Sequence, residues 1–281
     1  MASACDGCAK AGECTSKENC EKVNGIRKLP VNNSSDIKCV IGIASGKGGV
    51  GKSFVTSVLA HKLASSGLKV GIMDADITGP SIPRAFGLRE MLMANDDNKI
   101  LPAVTEGGIK AVSLNLLMED ENAPVIWRGP VLSGLVQQFW SDVEWGTLDV
   151  LLIDMPPGTG DIPLTIFQSL PLNGLVLIST PQELVSMIVS KARNMASMMN
   201  VNILGVVENM SYVICPHCGE KLSLFGDDEA LVKASSEAGI TILDKLPLDP
   251  SVTALVDSGK AEQVDVASIL GGAAEAIGKL I

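Results

Sequence analysis

Six short apolar runs divide the chain: "CVIGIA" (39–44), "KVGIMD" (69–74), "DVLLIDM" (149–155), "GLVLIST" (174–180), "NILGVVEN" (202–209) and "ITILDKL" (240–246). They are rich in β-branched residues and continuous rather than alternating, the pattern of strands covered on both faces. Between most of them lie stretches of helical character, at 53–65, 182–199 and 228–238. Strand, helix, strand in repetition predicts an α/β fold, a doubly wound and mostly parallel sheet with helices on both faces and right-handed crossovers. Ligands on such sheets bind beyond the carboxyl ends of the strands. The loops that follow the apolar runs are therefore where chemistry is expected.

The first 36 residues break this pattern. They carry Cys5, Cys8, Cys14 and Cys20 among many polar residues, with little periodicity. They read as a Cys-rich N-terminal segment (1–36), with "LPVNNSSD" (29–36) as the linker into an α/β domain over 37–281. The hydrophobic fraction of 46% suits a sizeable core, and with only 3% aromatics that core is aliphatic. The formal charge is −10 with no basic cluster, which argues against nucleic acid and against an anionic membrane surface as partners. No stretch has the form of a secretory signal or a spanning helix. Seven cysteines, some at x-x spacing, suggest metal or redox work in a reducing compartment. A soluble cytoplasmic protein is expected.

After the first apolar run comes "SGKGGVGKS" (45–53), opening into a helix. Gly46, Gly48 and Gly51 satisfy the dinucleotide pattern G-x-G-x-x-G, but Lys52 and Ser53 complete G-x-x-x-x-G-K-S, which only a triphosphate site needs. In that reading the backbone N–H groups of Gly46, Lys47, Gly48, Gly49, Val50 and Gly51 cradle phosphate. Lys52 reaches the terminal phosphates, Ser53 gives a hydroxyl to Mg²⁺, and Phe54 follows on the helix. Lys47 is a second loop lysine that phosphate cradling does not require. It is either a solvated cation or a charge that reaches the nucleotide of another subunit.

Near the other end, "CPHC" holds Cys215 and Cys218, half of the usual set for a thiolate-bound centre. Ligand type alone leaves open an iron–sulfur cluster, a structural zinc and a redox dithiol. Cys39 starts a buried strand and reads as a small hydrophobe. His217 reads as a loop residue, and His61 as structural.

The glycine loop with Lys47, "MDADITGPS" and "LLIDMPPGTGD" together resemble the deviant Walker A group of P-loop ATPases, which includes MinD, ParA and the nitrogenase iron protein. "DADITGPSIPRAFG" (74–87), "WRGPVLSGLVQQF" (127–139), "DMPPGTGD" (154–161) and "ENMSYVICPHCG" (208–219) narrow the resemblance to the Mrp (ApbC-type) iron–sulfur cluster carriers, from about Lys38 to the C-terminus. The resemblance implies ATP and Mg²⁺ as ligands and a homodimer in which Lys47 reaches across. It makes Asp76 the carboxylate that positions the attacking water and Asp154 the Walker B acid. It places a Gly158 N–H on the γ-phosphate, Asn209 on adenine, and Pro247 and Asp249 beside the base. It also implies that Cys215 and Cys218 of two subunits share one [4Fe-4S] cluster. Some relatives carry an N-terminal C-x13-C-x2-C-x5-C segment; here Cys5, Cys8 and Cys14 match its last three positions, and Cys20 is the candidate fourth ligand of a second cluster, with zinc or no ligand as the alternatives.

The expected function is an ATP-dependent scaffold that passes a [4Fe-4S] cluster to apo iron–sulfur proteins. A MinD/ParA-like positioning ATPase with a structural zinc is one alternative. It lacks support from the acidic charge and from the C-terminal "GGAAEAIGKLI". An electron-transfer ATPase like the nitrogenase iron protein is the other, although that protein's ligand cysteines stand singly rather than in one CxxC.

Overall fold

The computed structural model describes residues 28–76, 79, 81–118, 129–158, 160–181, 201–224 and 229–281. Cys5, Cys8, Cys14 and Cys20, and the helix expected at 182–199, lie outside the described residues. Among those described, each of the six apolar runs is a strand of one sheet.

These strands are β1 (Ser35–Ser45), β2 (Val70–Asp74), β5 (Gly146–Asp154), β6 (Gly174–Ser179), β7 (Ile203–Ile214) and β9 (Ile242–Pro247). Three short strands that carry no continuous apolar run complete the sheet: β3 (Ala103–Val104), β4 (Lys110–Val112) and β8 (Lys221–Leu222). The order is β3-β4-β2-β5-β1-β6-β7-β8, with β9 also paired to β7. All pairings are parallel except β3 on β4 and β8 on β7. The antiparallel additions sit at the margins of the order, where local hairpins suffice and no crossover is needed.

Apolar side chains leave both faces of this sheet into two cores. One core packs Ile41, Ile43, Ile72 and Leu152 against α1 (Lys52–Ser65) and α7 (Gly271–Gly278). The other packs Val40, Met73, Leu151 and Ile153 against α3 (Gly129–Ser141) and α4 (Asp161–Ser169). Each fully buried Leu or Ile is worth roughly 1.5–3 kcal/mol over its exposed state. The other α-helices among the described residues are α2 (Ile82–Ala85), α5 (Glu229–Ala238) and α6 (Pro250–Asp257). Close approach is built in at Gly272, where a Cβ would lie 2.2 Å from the Leu243 carbonyl oxygen. There Asp244 of β9 accepts the Gly272 and Ala273 N–H groups at 3.1 and 2.7 Å, capping α7.

The stretch read as a linker is corrected by its contacts. Leu29 N–H donates to Ser169 O at 2.7 Å, and the Trp140 indole donates to Leu29 O at 2.9 Å. Asn32 Nδ2 donates to Ser141 O and Val143 O, and Ser35 already pairs with Gly146. Polar turn residues do not keep a segment loose when their side chains satisfy the end of a helix. Residues 29–36 are a fastened strap that leads directly into β1.

Candidate functional site

The turn from β1 into α1 is built by two glycines with left-handed backbone, Gly49 and Gly51, both at φ +78°. Only glycine takes this conformation without strain. At Gly51 there is a second reason: a Cβ there would lie 2.3 Å from Asn209 Nδ2. Asn209, near the middle of β7, donates through that nitrogen to Val50 O at 2.9 Å and so clamps the loop to the sheet. The N-terminus of α1, with its partial positive charge and unpaired N–H groups, is left facing outward with no acidic residue in its first turn.

That end of the helix opens onto a cavity of about 450 Å³. Lys47, Gly48, Gly49, Val50, Gly51, Lys52, Ser53 and Phe54 line it, with Asp76, Asn209, Pro247 and Asp249. All of these are expected site residues, brought together by the loops after β1 and β2, by Asn209 within β7, and by the end of β9 with the turn that follows it. Gly46 sits between Ser45 and Lys47 at the loop's entry.

Beneath the cavity lies a dense polar group. Lys52 Nζ is 2.8 Å from Asp154 Oδ1 and 3.5 Å from Asp76 Oδ2. Ser53 Oγ donates to Asp154 Oδ2 at 2.5 Å, and Thr56 Oγ1 lies 2.8 Å from Asp154 Oδ1. Asp154 is fully buried, so these contacts compensate a charge taken out of water. Its neighbour in register, Asp74, is also buried and is held by Ser113 Oγ at 3.0 Å. Burial first, and then the charge of Asp154, raises the Asp74 pKa well above the usual carboxylate range; Lys52 and Ser113 pull the other way. Two adjacent carboxylates of which one favours its proton are the pattern expected of a site made for an additional cation. The oxygen donors Ser53, Asp154 and Asp76 suit a hard divalent ion such as Mg²⁺.

Two placements differ from expectation. Gly158, at φ +85°, directs its N–H to Ser45 O at 3.0 Å and does not line the cavity, whereas Pro157 does. Asp249 spends Oδ1 on the Ser251 and Val252 N–H groups, capping α6, and leaves Oδ2 for a base. Thr56 and Ser113 were not singled out in the sequence. Thr56 was findable, being one helical turn from Ser53 on the same face. Ser113 follows a three-residue strand that has no apolar signature.

The cysteine pair stands at the far end of β7. The strand runs past its apolar part to Ile214, turns through Cys215–Cys218, and returns as β8, pairing Val213 with Leu222 and Ile214 with Lys221. The turn is closed by Gly219 N–H to Cys215 O and Cys215 N–H to Glu220 O, both 2.9 Å, with Gly219 at φ +73°. The Cys215 sulfur accepts the backbone N–H of Cys218 and of His217 and a hydrogen bond from the Cys218 side chain, and these lower its pKa. Backbone donors aimed at this sulfur favour its deprotonated form, the form that binds a soft metal centre. Among the described residues, no group of three or more His, Cys, Asp or Glu is placed to hold a metal. Cys39 is buried, and burial pushes its thiol up to about 11, which makes it an inert core residue. His61 rests on Ser65 at 3.5 Å within α1.

Residues 36–278 match the family of NUBPL iron-transfer P-loop NTPases, under the heading ParA. The chain belongs to this family. A relative from Clostridium perfringens, named iron-sulfur cluster carrier protein, is 48% identical over 273 residues, covering 92% of this chain and 93% of the relative. Among solved structures, this NTPase is similar to a nucleotide-binding protein of Archaeoglobus fulgidus in complex with ADP, with cobalt found in it. The identity is 43%, the TM-score 0.72, and the coverage 81% of this chain and 88% of that one. MinD of Pyrococcus furiosus, at 20% identity and a TM-score of 0.59, covers 87% of this chain and shares its fold. Among the described residues, no helix of this NTPase is long and apolar enough to cross a membrane.

Proposed function

We propose that this NTPase is an ATP-dependent carrier that holds a [4Fe-4S] cluster between two copies of itself and passes it to apo iron–sulfur proteins. One observation carries the reading. A single strand, β7, holds Asn209 against the nucleotide loop and presents Cys215 and Cys218 in a metal-ready turn, yet offers only two sulfurs. A second copy supplies the other two. The name shared by the C. perfringens relative, and the ADP and cobalt in the A. fulgidus structure, agree with a nucleotide site and a metal site in one molecule.

At the nucleotide, Lys52 and the N–H groups of 46–51 hold the phosphates, and Asn209, Pro247 and Asp249 Oδ2 flank adenine. Ser53 and Asp154 would hold Mg²⁺, which supplies charge neutralisation at the β and γ phosphates. Asp76 orients a water toward the γ-phosphorus; that water displaces ADP and yields phosphate. Lys47 of the second copy completes the positive surround, so closure of the dimer and hydrolysis are one event. The cluster is cargo, and closure or opening of the dimer changes how tightly four thiolates enclose it. The acidic chain makes nucleic acid and an anionic membrane poor partners, and cytoplasmic work with homodimers fits the soft thiolate site. Cys5, Cys8, Cys14 and Cys20 are proposed, from the resemblance to relatives with an N-terminal cysteine segment, as ligands of a second cluster.

Two variants test the reading after anaerobic reconstitution. Lys52→Ala loses ATP turnover by at least about a hundredfold, the scale of removing one preorganised charge, and keeps its iron. Cys215→Ala/Cys218→Ala loses the bridging iron and keeps nucleotide binding. Unchanged iron in the double variant would refute the carrier site.

A further inference from the structure

We propose that Met210 is a positioning residue that couples the occupancy of the nucleotide loop to the placement of the Cys215/Cys218 turn, an inference that rests on the cluster reading above. Met210 is one of three non-glycine residues with positive φ among those described, at +56°, and it lies within a strand. L-residues with a side chain rarely take this conformation, and where they do the surroundings impose it.

Those surroundings are the two sites themselves. On one side, Asn209 is locked to Val50 O of the nucleotide loop at 2.9 Å. On the other, Tyr212 O accepts the N–H of Leu248, which belongs to the loop that flanks the base, at 2.8 Å. Between them the pairing of β7 with β9 is broken, the register shifting between Glu208 and Tyr212. The Met210 side chain lines the nucleotide cavity, and its Cε is 3.6 Å from where a Cβ on Gly51 would stand.

Beyond this break β7 continues straight to the cysteine turn. Lys221 of β8 reaches back over the Tyr212 ring, 4.5 Å from its centroid. Four strand residues, 211–214, separate Met210 from Cys215, a span of about 17 Å at the usual rise. A bulge sets the direction of the strand that leaves it. A small rotation at 209–211, forced by a ligand that displaces the Met210 side chain or shifts Gly51, is thus carried to the sulfurs by a short, hydrogen-bonded lever. Coupling between the two sites requires that this shared element take a second arrangement when nucleotide binds.

The test uses the full chain, reconstituted anaerobically, and the rate at which a ferrous chelator removes iron. Rates are compared without nucleotide, with saturating ADP, and with a saturating non-hydrolysable ATP analogue. The wild type is expected to show a ratio of about fivefold or more between the ATP analogue and no nucleotide, the low end of usual coupling. Met210→Gly permits the left-handed backbone without the side chain and brings the ratio to about one. Met210→Leu, which keeps the bulk, retains it; these magnitudes follow from the same coupling scale. Full nucleotide dependence in Met210→Gly, or a nucleotide-insensitive wild type whose iron still requires Cys215 and Cys218, overturns the coupling alone. Iron content unchanged in Cys215→Ala/Cys218→Ala overturns the cluster site and the coupling together.

Discussion

At the scale of single residues, the nucleotide loop is held by a mutual fit between Gly51 and Asn209 rather than by loop composition. Gly51→Ala would meet two penalties, a left-handed backbone worth roughly 1–2 kcal/mol for an L-residue and a Cβ 2.3 Å from Asn209 Nδ2. The variant is expected to unfold at lower urea and to lose nucleotide binding, followed with a fluorescent ATP analogue. Adding Asn209→Ala removes the clash but not the φ of +78°, so stability is not restored. Much of this was readable in advance. Lys47 to Ser53, Asp76 and Asn209, singled out from the sequence, line one cavity, and Asp154 lies beside Lys52 under it. Ser113 and Met210 were not readable, because their roles come from what β2 and the nucleotide loop bring beside them, and no local spacing encodes that.

At the scale of elements, helix α6 shows how one carboxylate serves structure and site together. Asp249 accepts from Ser251 and Val252, and the Ser251 hydroxyl bond is the first cause that lowers its pKa. A depressed carboxylate stabilises the fold above the unfolded-state pKa and loses that contribution as pH falls through its folded value. Asp249→Ala is therefore expected to cost about 1 kcal/mol at neutral pH, as cap losses do, and less in acid; urea titrations at several pH values measure it. Asp249→Asn, which also caps, should keep the stability while weakening the hold on adenine. The hairpin of β7 and β8 marks where local reading stopped short. The apolar run ended at residue 209, yet the strand continues to Ile214, because partners on β9 and β8 extend it past the register break between Glu208 and Tyr212. Residues 29–36 erred in the other direction: their turn letters hid side chains that finish α3 and its following turn.

For the molecule as a whole, the alternation of apolar runs and helices was enough for the parallel sheet and its two covered faces. It was silent on strand order and on the antiparallel margins, which tertiary pairing decides. The sheet also buries one charge that the nucleotide chemistry does not use. Glu208 is fully inaccessible on β7, with Lys245 Nζ 3.7 Å away, and burial raises its pKa. Its folded pKa above the unfolded one means that stability falls as pH rises from the ordinary carboxylate range to the folded value. Glu208→Gln should thus raise the thermal midpoint near neutral pH, with the gain fading in acid; thermal unfolding across pH reads this directly. The lower stability at neutral pH sits beside Asn209 and Met210, the part of β7 that joins the two sites.

The central claim is that each copy holds half of a cluster cage. Native mass spectrometry of the anaerobically reconstituted protein measures it most directly. The account predicts a dimer that carries one [4Fe-4S] unit more than two chains of Cys215→Ala/Cys218→Ala carry. A cluster count unchanged in the double variant, or a Cys215/Cys218-dependent cluster already present on isolated wild-type chains, would contradict it.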